Sequence, residues 1–148
     1  MLKVLIVDDE FLVRVGLEST IPWNEYGLQL VGSAKNGREA IELFEKYDPD
    51  ILVTDIRMPG MSGLELIEAL KSRKPSLVAI ILSHYDDFNY AQKALKLGAN
   101  DYILKSDLSP KSLIDIITKH VGTINQTIAE TEVLHQDAKT KVIYQDFL

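Results

Sequence analysis

The chain has 148 residues, 46% of them hydrophobic, which is enough for one domain with a real core and an appendage. Its net charge of −6 argues against this segment itself being a nucleic-acid contact, and leaves open a basic domain elsewhere in a longer protein. With no cysteine it has no disulfide, no thiol catalysis and no cysteine-based metal site.

The N-terminus enters a strand pattern at once, over about Lys3 to Val7. It shows no signal peptide, and no apolar run reaches the length of a membrane span, so a cytosolic protein is expected. A helix is expected from about Glu10 to Thr20, with Phe11, Leu12 and Val15 facing inward. Pro22-Trp23-Asn24 breaks it, and Trp23 reads as a core or loop anchor. A second strand, about Leu28 to Ala34, suits a half-exposed sheet edge. Asn36-Gly37 then turns the chain into a helix through Lys46, with Ala40, Ile41 and Phe44 at helical spacing, and Asp48-Pro49-Asp50 stops it.

The third strand, Ile51 to Thr54, is apolar along its length, as in a strand covered on both faces. The loop from Ile56 to Gly63 is rich in turn residues, with Met58 and Met61 as packing groups, and a helix follows from about Gly63 to Ser72. Leu77 to Leu82 is the fourth strand. Asp86-Asp87 reads as the N-cap of a helix from Phe88 to Leu97, which Gly98 ends. Tyr102 to Leu104 is the fifth strand, and Ser109-Pro110 starts the last helix. Five strands alternating with five helices specify an α/β fold, a doubly wound parallel sheet with helices on both faces. Residues 1–121 form this domain. Residues 122–148 are polar, but Val121, Ile124 and Ile128 continue a stripe from Ile117, so a helical or partly disordered linker is expected. The histidines His120 and His135 have no metal-ligand partners at suitable spacing and read as surface residues.

Three aspartates stand just past apolar strands: Asp8 and Asp9 after the first, Asp55 after the third. In a parallel sheet those strand ends lie side by side at one edge, where such folds place their sites. Two unit charges about 4 Å apart cost roughly 4 kcal/mol at an effective dielectric of 20. A cluster of this kind persists when a divalent cation neutralises it, which points to a Mg²⁺-type site and to phosphoryl transfer.

Asp8-Asp9, Asp55, the run Met58-Pro59-Gly60-Met61-Ser62-Gly63, Ser83 after the fourth strand, and Tyr102 with Lys105 at the fifth together resemble a two-component response-regulator receiver domain. The resemblance covers about residues 1 to 121. It implies a flavodoxin-like strand order of 2-1-3-4-5. It also implies that Asp55 accepts a phosphoryl group from a sensor histidine kinase, and that Mg²⁺ is held by Asp9, Asp55 and the backbone carbonyl of Arg57, with Asp8 reaching it through water. Lys105 would pair with Asp55 and then with the phosphoryl oxygens. Ser83 would hydrogen-bond one of those oxygens, and Tyr102 would turn inward as Ser83 moves. The domain would be a phosphoacceptor that assists its own phosphorylation and dephosphorylation, not an enzyme acting on a separate substrate. Its signal would leave through the face of the fourth helix, fifth strand and fifth helix, by homodimerisation there or through the linker helix.

Arg14, Gly16-Leu17, Ile21-Pro22-Trp23, Asn36-Gly37-Arg38-Glu39-Ala40 and Ser83-His84-Tyr85-Asp86-Asp87-Phe88 resemble receivers that precede AraC-type helix-turn-helix output domains. DNA binding would then belong to a part outside these 148 residues. Two departures stand out. Receivers usually follow the strand-five lysine with proline, where this chain has Ser106, so that loop is expected to take another path. His84 stands where a small residue is usual, and its bulk is expected to slow autodephosphorylation. The alternative is a stand-alone receiver acting as a phosphorelay or docking protein. A haloacid-dehalogenase-like phosphatase is disfavoured, because the second acid those enzymes need stands here as Arg57.

Overall fold

The computed structural model describes residues 1–121, apart from the side chain of Tyr85. The expected linker, with Ile124, Ile128 and His135, lies outside the described residues. The elements alternate as expected: β1 (Leu2–Val7), α1 (Phe11–Thr20), β2 (Leu28–Ala34), α2 (Gly37–Tyr47), β3 (Ile51–Asp55), α3 (Gly63–Arg73), β4 (Val78–Ser83), α4 (Phe88–Lys96), β5 (Asp101–Leu104) and α5 (110–121). The five strands form one parallel sheet in the order β2-β1-β3-β4-β5.

The strands carry apolar residues at successive positions because both faces are covered. Leu5, Val7, Leu52, Ala79 and Ile81 point to one face, where Ala40, Phe44, Leu66, Leu70, Ala91 and Ala94 of α2, α3 and α4 cover them. Val4, Ile6, Val53, Ile80, Leu82 and Ile103 point to the other, beneath Leu17, Leu113 and Ile117 of α1 and α5. Burying one large aliphatic side chain contributes about 1.5–3 kcal/mol, so the central strands β1, β3 and β4 hold the frame rigid.

The helix ends follow their local chemistry. The Asn36 side chain accepts from the Glu39 N–H at the start of α2, and Ser62 with Glu65 forms a capping box at the start of α3. Ser109 Oγ accepts from the Ser112 N–H at 3.0 Å, as expected of the cap before Pro110. Gly98, at φ 117°, takes the left-handed turn that ends α4.

Three expectations are corrected. The inward face of α1 is not Phe11, Leu12 and Val15: Phe11 is 64% and Leu12 81% exposed, and Val15 is also exposed. The face that packs is Val13 and Leu17, continued by Ile21 and Trp23. Two apolar stripes share this helix. The second wins because it runs on past the helix end, where Trp23 is buried and its Nε1–H donates to the Leu17 carbonyl at 3.2 Å. His120 is not a surface residue. Its side chain is mostly buried, with Nε2 3.1 Å from Asp101 Oδ2. Asp87 does not cap α4 with its side chain, and its buried carboxylate turns elsewhere.

Candidate functional site

Parallel register sets the site. Val7 pairs with Thr54, so the residues that follow them, Asp8 and Asp55, leave adjacent strands side by side. Asp55 pairs with Leu82, which places Ser83 one residue further along β4. Ser83 pairs in turn with Leu104, which brings Lys105 to the same edge. Four residues distant in sequence, Asp8, Asp55, Ser83 and Lys105, thus arrive together through backbone pairing alone.

Lys105 is the hub. Its Nζ lies 2.9 Å from Asp8 Oδ2, 3.1 Å from Asp55 Oδ2 and 3.0 Å from Glu10 Oε1. Asp8, Asp55 and Lys105 are nearly out of contact with solvent, while Asp9 and Glu10 stand at the rim. Asp8 Oδ1 accepts from the Glu10 N–H at 2.8 Å, and its carbonyl accepts from Arg14 Nη1 at 2.7 Å. Glu10 Oε1 also meets His84 Nε2 at 3.0 Å.

One lysine cannot balance this many acids. Burial, then the charge of Asp8, pushes the Asp55 carboxyl up to about 7, against the opposing pull of Lys105. Burial likewise raises Asp8. The hydrogen bond from Lys105 lowers Glu10. Burial opposes the charge on Lys105, yet its acidic partners together raise its pKa. Asp8 Oδ2 is within ion-pair distance of Lys105 but makes no aligned hydrogen bond, and Asp55 Oδ1 and Ser83 Oγ are also buried without a hydrogen-bond partner. Oxygens of Asp8, Asp9, Glu10 and Asp55 come within 4.8 Å of one another. An all-oxygen donor set with surplus negative charge and orphaned carboxylate oxygens fits a hard divalent cation such as Mg²⁺.

Asp8, Asp9, Asp55 and Lys105 therefore meet where sequence reasoning placed them. Ser83 is fully buried at the end of β4, its hydroxyl lacking an acceptor. Tyr102 lies within β5, packed against the cluster on the α4 side of the sheet. Arg57 belongs to the loop after Asp55, and its side chain runs to Asp87, with Nη1 3.1 Å from Oδ1. Sequence reasoning missed Glu10 and the partner of Asp87. Glu10 had one available signal, its place next to Asp8-Asp9. After Lys105 the chain forms a short 3₁₀ turn, Lys105–Asp107, and no peptide bond among the described residues is cis.

A family model for the response regulator receiver domain matches residues 4–118. An uncharacterized transcriptional regulatory protein of Bacillus subtilis (strain 168), YesN, is 43% identical over 105 residues, covering 71% of this chain and 28% of its own length. Among solved structures, the REC domain of AraT, a response regulator from Geobacillus stearothermophilus, matches with a TM-score of 0.78 at 37% identity, covering 85% of this chain and 97% of that one. A two component transcriptional regulator AraC from Clostridium phytofermentans ISDg matches with the same score at 35% identity and the same coverage. The chain spans 28–41% of the length of the curated relatives it matches. With so much of its length matched by the model, and with the acidic edge built as described, the chain belongs to the response regulator receiver domain family.

Proposed function

We propose that this domain accepts a phosphoryl group on Asp55 and thereby controls a transcription regulator. The observation that carries the reading is the Asp55 carboxylate itself, held on one oxygen by Lys105 and left without a partner on the other. The free Oδ1 is the nucleophile. It bonds to phosphorus as the P–N bond of a kinase phosphohistidine breaks, and the electron pair leaves with the imidazole. Lys105 follows the negative charge from the carboxylate to the phosphoryl oxygens. Ser83 donates its unengaged hydroxyl to one of them, and Tyr102 turns inward in response. Asp9, Asp55 and the Arg57 carbonyl would hold Mg²⁺ directly, and Asp8 would act on it through water. The bound ion would offset the charge that the phosphoryl group brings.

The curated relatives are named as transcriptional regulatory proteins and are longer than this chain, and a two component transcriptional regulator AraC is among the similar solved structures, which supports an AraC-type DNA-binding output joined through residues 122–148. Among the described residues no helix is long and apolar enough to cross a membrane. Phe88, Tyr90, Leu95 and Leu97 are exposed on and just after α4, apolar surface suited to the proposed α4–β5–α5 dimer.

Intact-mass spectrometry tests the acceptor. With Mg²⁺ and acetyl phosphate the chain is expected to gain the mass of one phosphoryl group, and Asp55→Asn to gain none. A gain that survives Asp55→Asn removes Asp55 as the acceptor. His84 gives a second prediction. Tied to Glu10 across the mouth of the site, its ring narrows the approach of water to the phosphoryl group. His84→Gly is expected to shorten the phosphoryl half-life about fivefold, equivalent to about 1 kcal/mol of barrier. An unchanged half-life would show that His84 does not shield the group.

A further inference from the structure

Asp87 is 2% exposed although it lies in a short 3₁₀ turn, Tyr85–Asp87, at the protein surface. A carboxylate is buried at a cost unless both oxygens are engaged. Asp87 Oδ1 takes Arg57 Nη1 at 3.1 Å, and Oδ2 accepts from the backbone N–H of His84 at 3.3 Å. The Arg57 guanidinium then lies over the Tyr90 ring of α4, 5.4 Å from its centre. The two partners of Asp87 sit in different loops. Arg57 is two residues past Asp55 on the β3 side, and His84 is the residue after Ser83 on the β4 side.

We propose that Asp87 is a positioning residue for the chemistry at Asp55, its single buried carboxylate setting the spacing between the loop that carries Arg57 and the end of β4 that carries Ser83. The inference rests on the reading above, in which the Arg57 carbonyl meets Mg²⁺ and the Ser83 hydroxyl meets the phosphoryl group. A helix cap alone would leave one carboxylate oxygen free for solvent. Here both oxygens are used, and they reach the two segments that flank the acceptor. The Ser83 hydroxyl is buried with no acceptor of its own, so its position depends on the backbone that Asp87 holds. Misplacing such a group by about 1 Å costs as much as 10²-fold in rate.

The test uses the 148-residue chain with acetyl phosphate, following phosphoryl gain by intact mass over a series of Mg²⁺ concentrations, with thermal unfolding measured alongside. Asp87→Ala is expected to lower the maximal rate about tenfold and to raise the Mg²⁺ concentration at half-maximal rate about threefold. Arg57→Gln is expected to move both in the same direction by about half as much on a logarithmic scale. A purely structural role would lower the fraction of folded protein without moving the Mg²⁺ midpoint of what remains. Asp87→Asn keeps an acceptor for the His84 N–H, and is expected to recover part of the rate lost in Asp87→Ala. If Asp87→Ala does not fold, Arg57→Gln carries the comparison, since the Arg57 side chain is 59% exposed. Folded variants with wild-type rate and wild-type Mg²⁺ midpoint overturn the proposal. Wild-type chain that gains no phosphoryl group would instead overturn the acceptor assignment beneath it.

Discussion

Gly63→Ala is expected to destabilise the domain by about 3 kcal/mol or more, the upper range for overpacking a closed site. Gly63 is the first residue of α3 and packs directly on the end of β3. A Cβ there would overlap the Asp55 carbonyl oxygen and stand 2.8 Å from the Ile56 Cα. Both obstacles are backbone, so no side chain can turn away to make room. The Gly63 N–H donates to the Ile56 carbonyl at 2.8 Å, which ties the helix start to the chain it would have to leave. Relief requires α3 to lift from the sheet or the end of β3 to shift. Either movement loosens Leu66, Ile67 and Leu70, all fully buried. The second route also displaces the Asp55 carboxylate, so phosphoryl gain is expected to fall with stability. Urea unfolding of wild type and variant is the measurement. A midpoint within experimental error of wild type would mean that the close approach of α3 to β3 is not required.

Much of the fold and of the acidic edge was readable from the chain, and the reason is physical. Apolar runs such as Ile51 to Thr54 have one stable environment, a strand covered on both faces, and parallel pairing then carries whatever follows each strand to a common edge. Asp8, Asp55, Ser83 and Lys105 were therefore placed by backbone regularity. Gly63 fell within a turn-rich loop whose length only α3 packing explains. What escaped the sequence depends on side-chain choices between competing partners. On α1 the stripes Phe11, Leu12, Val15 and Val13, Leu17 are both plausible at helical spacing, and only the onward path through Ile21 and Trp23 decides between them. Asp87 looked like a cap because an acidic residue before a helix usually is one. Its partner Arg57 is 30 residues away, brought close by two loops of irregular shape. His120 found Asp101 in the same way, across the packed face of α5 and β5.

Metal-free stability is expected to fall as pH rises from about 4 to about 7, and Mg²⁺ to restore it. The Asp55 carboxyl has an ordinary value of 3.8, and in the fold burial and then Asp8 push it up to about 7. Between these values the folded chain holds a proton that the unfolded chain has released. Stability therefore declines with pH across that window, by up to about 1.4 kcal/mol per unit, and is level on either side of it as far as this group is concerned. Asp8, also raised by burial, acts in the same direction. Glu10 acts in the opposite sense, since Lys105 lowers it, so its contribution is lost as pH falls. Its half-exposed side chain makes that effect small. Asp55→Asn removes the carboxyl that burial and Asp8 push furthest from its ordinary value while keeping the shape, so it is expected to be more stable than wild type at about pH 7, by about 2 kcal/mol, with a shallower decline. Mg²⁺ at about 100 times its dissociation constant adds about 2.7 kcal/mol to the wild type, and less to a variant missing one ligand charge. Urea unfolding of both proteins from about pH 5 to about pH 8, with chelator and with Mg²⁺, reads all of this in one series. Parallel pH profiles for the two proteins would show that Asp55 is not under electrostatic strain. If the profiles diverge and Mg²⁺ closes the gap, the acidic edge is a site kept at a cost to the empty fold, and that cost is relieved when a cation adds its charge to the one Lys105 already brings to Asp55.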